Sequence, residues 1–118
     1  MEYRVLVLDD EEAARESMKQ ALRAGGYDVA ACSSGPEALQ LERSFRPDVI
    51  VSDINMPGMN GWGFLKELGS RPEAPPAIMV TAHGSQELAV ESLRQGAFDY
   101  VTKPFDPVQF CKSVQRAA

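Results

Sequence analysis

Histidine occurs once, tryptophan once and cysteine twice in 118 residues. A lone histidine does not make a metal centre, so His83 reads as a solvated loop residue. Cys32 and Cys111 stand far apart and in no metal-binding or redox spacing. That argues against a disulfide and for reduced core thiols of a cytosolic protein. No apolar run approaches the ~18–20 residues of a membrane span. The start, Met1-Glu2-Tyr3-Arg4, leads into a short apolar run and then acids, which is not a signal-peptide pattern. Basic charge is also short: Lys and Arg total 12 against 17 Asp and Glu, for a net charge of −5. A surface that binds nucleic acid would carry a basic patch instead. An anionic substrate would need a local positive device, such as a bound cation or a well-placed lysine. No repeat, linker or low-complexity tract divides the chain. The expectation is one soluble, cytoplasmic domain spanning residues 1–118, able to form its own core without disulfides.

What is present is a series of short apolar runs alternating with helical patterns. Tyr3–Leu8 is almost continuously apolar and ends in Asp9-Asp10-Glu11-Glu12, the pattern of a strand buried on both faces. Ala14, Met18, Ala21 and Leu22 then share one helical face, which Gly25-Gly26 stops. Tyr27–Cys32 is a weaker strand, placed at an edge. Ser33-Ser34-Gly35-Pro36 supplies a cap and an early proline for a second helix carrying Ala38, Leu41 and Phe45. Val49–Ser52 is a third strand that delivers Asp53. Trp62, Phe64, Leu65 and Leu68 form a short third helix, and Ala77–Val80 a fourth strand running into Thr81. Ser85 reads as the cap of a fourth helix whose inward residues are Leu88, Ala89 and Leu93. Phe98–Thr102 is a fifth strand, followed by Lys103-Pro104-Phe105 and a last helix with Val108, Cys111 and Val114 as its apolar line. Five strand–helix units with helical crossovers predict a doubly wound α/β sandwich on a five-stranded parallel sheet.

The chemistry gathers at the strand ends. Pro57, Gly58 and Gly61 force the chain out of the third strand just after Asp53, so a carboxylate stands at the lip of the sheet. In a parallel sheet all strand C-termini share that edge, which brings Asp9, Asp10, Asp53, Thr81 and Lys103 into one pocket. Three crowded carboxylates raise one another's pKa values or demand a cation. All-oxygen ligands select a hard ion, and Mg²⁺ is the one that works with one or two carboxylates plus phosphate oxygens. A metal on one side and Lys103 on the other would neutralise an incoming phosphoryl group, leaving Asp53 as the nucleophile and Thr81 as a hydroxyl donor. A cis bond before Pro104 would aim Lys103 inward. Each residue also has a plainer reading. The acids after the first strand suit a helix N-terminus, Asp53 suits a turn, and Lys103 suits a surface lysine with a buried stem. It is their convergence on one edge that favours a site.

Asp9-Asp10, Asp53-x-x-Met56-Pro57-x-x-x-Gly61, Thr81-Ala82 and Lys103-Pro104-Phe105 together resemble the receiver domain of two-component response regulators. The resemblance runs the length of the chain. It implies a flavodoxin-like (βα)5 fold with strand order 2-1-3-4-5. It implies that Asp53 accepts a phosphoryl group from a sensor histidine kinase. It implies Mg²⁺ held by Asp10, Asp53 and the backbone carbonyl of Asn55, with Asp9 acting through water or as a further ligand. Lys103 would pair with the phosphoryl group, Thr81 would move toward it, and Tyr100 would change rotamer as the switch aromatic. His83 would lie close enough to tune the lifetime of the phosphorylated state. The output would be a change in the face made by the fourth helix, fifth strand and fifth helix. That face would engage an output domain or downstream protein, or pair two copies on phosphorylation. Gly96–Val101 before Lys103 looks most like receivers attached to transcription-regulator or kinase modules. The expectation is a receiver without an output domain in these 118 residues, one that would not bind nucleic acid directly. It would be no enzyme beyond assisting its own phosphorylation and dephosphorylation.

Three rivals share parts of this set. A haloacid-dehalogenase-like phosphatase also uses a nucleophilic Asp and Mg²⁺, but needs Asp-x-Asp after the first strand, and here Asp9 and Asp10 are adjacent. A flavodoxin-like electron carrier needs a Ser/Thr/Gly-rich first loop, which the acids from Asp9 to Glu12 contradict. A receiver-like module that works without phosphorylation would be expected to lack a motif residue, and none is missing.

Overall fold

A computed structural model describes residues 3–54, 61–70, 73–82 and 86–118, except the side chains of Gln86 and Leu88. Its elements alternate: β1 (Arg4–Leu8), α1 (Glu12–Ala24), β2 (Asp28–Cys32), α2 (Gly35–Phe45), β3 (Val49–Asp53), α3 (Gly61–Gly69), β4 (Ala77–Thr81), α4 (Gln86–Arg94), β5 (Asp99–Thr102) and α5 (Pro107–Ala117). The sheet order is β2-β1-β3-β4-β5 and every pairing is parallel. The order implied by the resemblance is therefore the observed one, with β2 on an edge as expected.

Strand pleating sorts the core into two layers. Val5, Val7, Val49, Val51, Ile78 and Val80 pack with Met18 and Leu22 of α1 and with Phe110 and Val114 of α5. Leu6, Leu8, Ile50 and Met79 face the other way, onto Ala38 of α2 and Phe64, Leu65 and Leu68 of α3. β3 and β4 are buried along their whole length. The central strands thus fix the sheet edge on which the candidate residues stand.

Local signals set the helix limits. The Ser34 side chain caps α2 by accepting from the Glu37 amide, while Glu37 Oε1 accepts from the Ser33 amide at 2.9 Å. Asp106 caps α5 in the same way, through the Val108 amide at 2.9 Å. Gly25 closes α1, and Gly26 takes φ +92°, a conformation that glycine adopts at no steric cost. Ser85 lies outside the described residues.

Three assignments are corrected. Leu93 is not inward but 53% exposed, and among the described side chains of α4 the buried one is Ser92, at 0%. Val108 is 61% exposed; Phe110 and Ser113 join Val114 on the buried side of α5. In both helices a buried serine holds part of the inward arc, which an apolar count passes over. Phe98 is exposed and precedes the strand, which begins at Asp99.

Both cysteines are free. Cys32 is almost fully buried, with its Sγ 3.8 Å from the Val7 carbonyl oxygen. Burial first, and the neighbouring Glu37 second, push its thiol up to about 12. The neutral thiol therefore stabilises the fold fully below the range of a free thiol, and that contribution is lost as pH rises toward 12. An alkylating reagent at neutral pH should leave Cys32 unmodified in the native chain and modify it once urea unfolds the protein. Equal labelling in both states would show that this strand end opens readily.

Candidate functional site

Because every strand runs the same way, their C-terminal ends form one rim. Asp9 and Asp10 follow β1, Asp53 ends β3, Thr81 ends β4 and Lys103 follows β5. Asp9 and Thr81 are fully buried, Asp53 is nearly so, and Asp10 is exposed. One carboxylate oxygen from each of Asp9, Asp10 and Asp53 lies within 4.8 Å of the others. Lys103 Nζ donates to Asp9 Oδ2 at 2.7 Å and stands 3.8 Å from Asp53 Oδ2. The second distance is an ion pair without a hydrogen bond. Three carboxylates around one ammonium leave a local excess of negative charge, and burial of two of them makes that excess costly.

The backbone holds these groups in place. The Asp9 amide donates to the Cys32 carbonyl at 3.2 Å. Asp9 Oδ1 accepts from the Glu11 amide at 2.9 Å, and the Asp9 carbonyl accepts from Arg15 Nη1 at 2.9 Å. Ser52 Oγ donates to the Asp53 carbonyl at 3.0 Å. The Lys103 amide donates to the Thr81 carbonyl at 2.7 Å, tying the ends of β4 and β5 together. The Lys103–Pro104 bond is cis, and the Lys103 ammonium faces the acidic cluster.

Beyond Ile54 the chain returns at Gly61, whose amide donates to the Ile54 carbonyl at 2.8 Å. A Cβ at Gly61 would come within 2.6 Å of Met79 Cε and 2.8 Å of Ile54 Cα, and would press on the Asp53 carbonyl oxygen. Glycine is required here by close approach, not by backbone angle. Asn55, Met56, Pro57, Gly58, Met59 and His83 lie outside the described residues, so the Asn55 carbonyl is not placed.

The donor set fits a hard cation. It is all oxygen, it is over-charged without one, and exposed Asp10 leaves a solvent side for water or phosphate oxygens. Tyr100 is half-buried against the layer that contains Met79, and its hydroxyl is buried with no hydrogen-bond partner among the described residues. The structure thus brings together Asp9, Asp10, Asp53 and Lys103, and seats Thr81 on the same rim. It sets Tyr100 on β5, beside Met79 of β4 in the sheet register.

Sequence reading missed Arg15 and Ser52, and gave Gly61 only the role of a loop breaker. Arg15 sits at the first turns of α1, directly after the acids, and that proximity was its one available signal. Nothing in the sequence marks Ser52, an internal strand residue, as a prop for the Asp53 backbone.

A family model for the response regulator receiver domain matches residues 5–115. The regulatory protein AtoC of Escherichia coli K12 is 43% identical over 97% of this chain and 25% of its own length. The DNA-binding transcriptional regulator NtrC of the same organism is 41% identical over 96% of this chain and 24% of its own. The chain spans about a quarter of the length of these curated relatives. Among solved structures, the chemotaxis response regulator CheY4 of Vibrio cholerae superposes with a TM-score of 0.89 at 35% identity over the full length of both chains. The receiver domain of the Francisella response regulator 1452 gives 0.90 at 34% identity, covering 98% of this chain and 95% of that one. On fold, acidic rim and matches together, the chain belongs to the response regulator receiver domains of two-component systems.

Proposed function

We propose that this domain is a phosphorylation-driven switch in which Asp53 accepts a phosphoryl group from the phosphohistidine of a sensor kinase. The observation that carries this reading is the cluster of Asp9, Asp10 and Asp53 within 4.8 Å, with Lys103 Nζ 2.7 Å from Asp9 and 3.8 Å from Asp53. Asp9, Asp10, Asp53 and the Asn55 carbonyl would hold Mg²⁺, which when bound neutralises phosphoryl-oxygen charge and relieves the carboxylate repulsion. An Asp53 oxygen attacks phosphorus, a P–O bond forms and the P–N bond of the donor breaks. Lys103 needs only a short shift to pair with the transferred group, since its ammonium already lies beside Asp53. Thr81, on the same rim, offers its hydroxyl to a phosphoryl oxygen. Water later cleaves the acyl phosphate and restores the carboxylate.

The switch then acts through β5. The Tyr100 hydroxyl, buried and without a hydrogen-bond partner among the described residues, makes its position one that a small free-energy change can reverse. The α4-β5-α5 face carries exposed Val90, Leu93 and Phe98, and an Arg116–Asp99 ion pair at 3.1 Å. That face would meet the output domain, a downstream protein or a second phosphorylated copy, in the cytoplasm. The relatives named as transcriptional regulators favour an output in transcription.

Incubation with a small acyl-phosphate donor should add one phosphoryl group per chain in the presence of Mg²⁺ and none after chelation, read by intact mass. Labelling without metal would remove the role given to the three carboxylates. Sustained turnover of phosphoesters would instead favour a phosphatase.

A further inference from the structure

α4 exposes most of its described side chains. Glu87, Val90, Leu93 and Arg94 are exposed, and Ala89 and Glu91 are half-buried. Among its described side chains only Ser92 is fully buried. The atom that meets Ser92 comes from another helix: Trp62 Nε1 donates to Ser92 Oγ at 3.3 Å. Trp62 follows Gly61, whose backbone is clamped against Asp53 and Ile54. The indole therefore extends from the part of the fold that is locked to the Asp53 backbone. Just past the far end of α4 the Ala97 amide donates to the Ser92 carbonyl at 3.0 Å and the Phe98 amide to the Ala77 carbonyl at 2.8 Å, and the Ala97 side chain is buried in the core.

We infer that Trp62 and Ser92 are a positioning pair. Their hydrogen bond sets α4 against α3 and links the Asp53 segment to the exposed α4 surface by a route separate from Thr81 and Tyr100. Among the described side chains of α4 Ser92 alone is fully buried, while Val90 and Leu93 face solvent, so a polar contact takes part in registering the helix. The bond is long for N–H···O, so its net contribution lies at the modest end for a hydrogen bond. A modest contact suits an element that must move.

The consequence for signalling rests on the proposed function; the contact itself does not. In the unphosphorylated chain, Trp62→Phe keeps the ring and removes the donor, and Ser92→Ala removes the acceptor. Each should speed hydrogen exchange of the α4 amides about two- to tenfold, the range of one net hydrogen bond. Exchange in α1 and the central strands should not change. The double variant should exchange no faster than the faster single variant, because both lose the same bond. Emission from Trp62, the only tryptophan, should change in Ser92→Ala. Unchanged α4 exchange in either single variant overturns the inference, as does equal acceleration throughout the chain, which would mark plain packing. With donor and Mg²⁺, Ser92→Ala should label at Asp53 as the wild type does, yet lose most of the phosphorylation-dependent change in α4 exchange. A full response in that variant overturns the linkage. Failure of the wild type to label would strike the proposed function instead, leaving the unphosphorylated comparison to decide the contact.

Discussion

Asp53→Asn should take up no phosphoryl group and should melt no lower than the wild type. The amide lacks the anionic oxygen that attacks phosphorus, so labelling falls to zero and not to a fraction. The substitution changes almost no volume, and the side chain is already nearly buried. Its electrostatic effect follows from the charges present. Asp9, Asp10 and Asp53 crowd within 4.8 Å, and Lys103 offsets only one of them. Removing the Asp53 charge sacrifices a 3.8 Å ion pair, but leaves the 2.7 Å Lys103–Asp9 bond and relieves two carboxylate contacts. The balance favours the fold in metal-free buffer. Thermal melting with chelator, together with intact mass after incubation with donor and Mg²⁺, checks both halves. A labelled Asp53→Asn protein would mean that another residue accepts the group. A variant melting well below wild type would mean that Asp53 holds the fold through contacts its charge alone does not explain.

The parts of this protein legible in the sequence are those with a strong period or strong chemistry. β1, β3 and β4 are short apolar runs with no competing pattern, and strand ends bearing Asp, Asp, Thr and Lys need only a parallel sheet to meet. Their convergence on one rim was therefore legible in the sequence. The strand order was not read from periodicity; it came with the resemblance. What resisted reading was the phase of α4 and α5. In α4 an apolar count selects Leu93, yet the helix buries Ser92 because an indole N–H from α3 waits there. In α5 the same count selects Val108, yet Phe110 fills the core and Val108 faces out. Hydropathy reports what a side chain prefers, and a buried hydroxyl with a specific partner violates that preference locally. The exposed apolar residues of α4 are the other half of this observation. Exposed apolar residues of this kind are what the proposed partner face would require.

Gly61→Ala should be more damaging than the same substitution at Gly25 or Gly69. The added Cβ meets backbone on two sides, at Ile54 Cα and the Asp53 carbonyl, and the Met79 methyl on a third. The methionine tip can swing away, but backbone in a fully buried strand cannot. Relief requires α3 to lift off β3, which strips contact from Phe64, Leu65 and Leu68. Overpacking of this kind costs about 1–3 kcal/mol and sometimes more, and at about 3–6 °C per kcal/mol for a domain of this size the melting point should fall by roughly 10 °C. Gly69→Ala is the control. It lies at the other end of α3 with nothing within 4 Å of its Cβ, so it should be neutral or slightly stabilising through helix propensity. Function should diverge in the same direction. Lifting α3 shifts the Asp53 carbonyl and with it the carboxylate, so phosphoryl uptake in Gly61→Ala should fall even well below its melting temperature, while Gly69→Ala labels normally. Equal melting points for the two variants would show that the α3–β3 contact yields without cost, and that the glycine serves only as the loop breaker the sequence suggests.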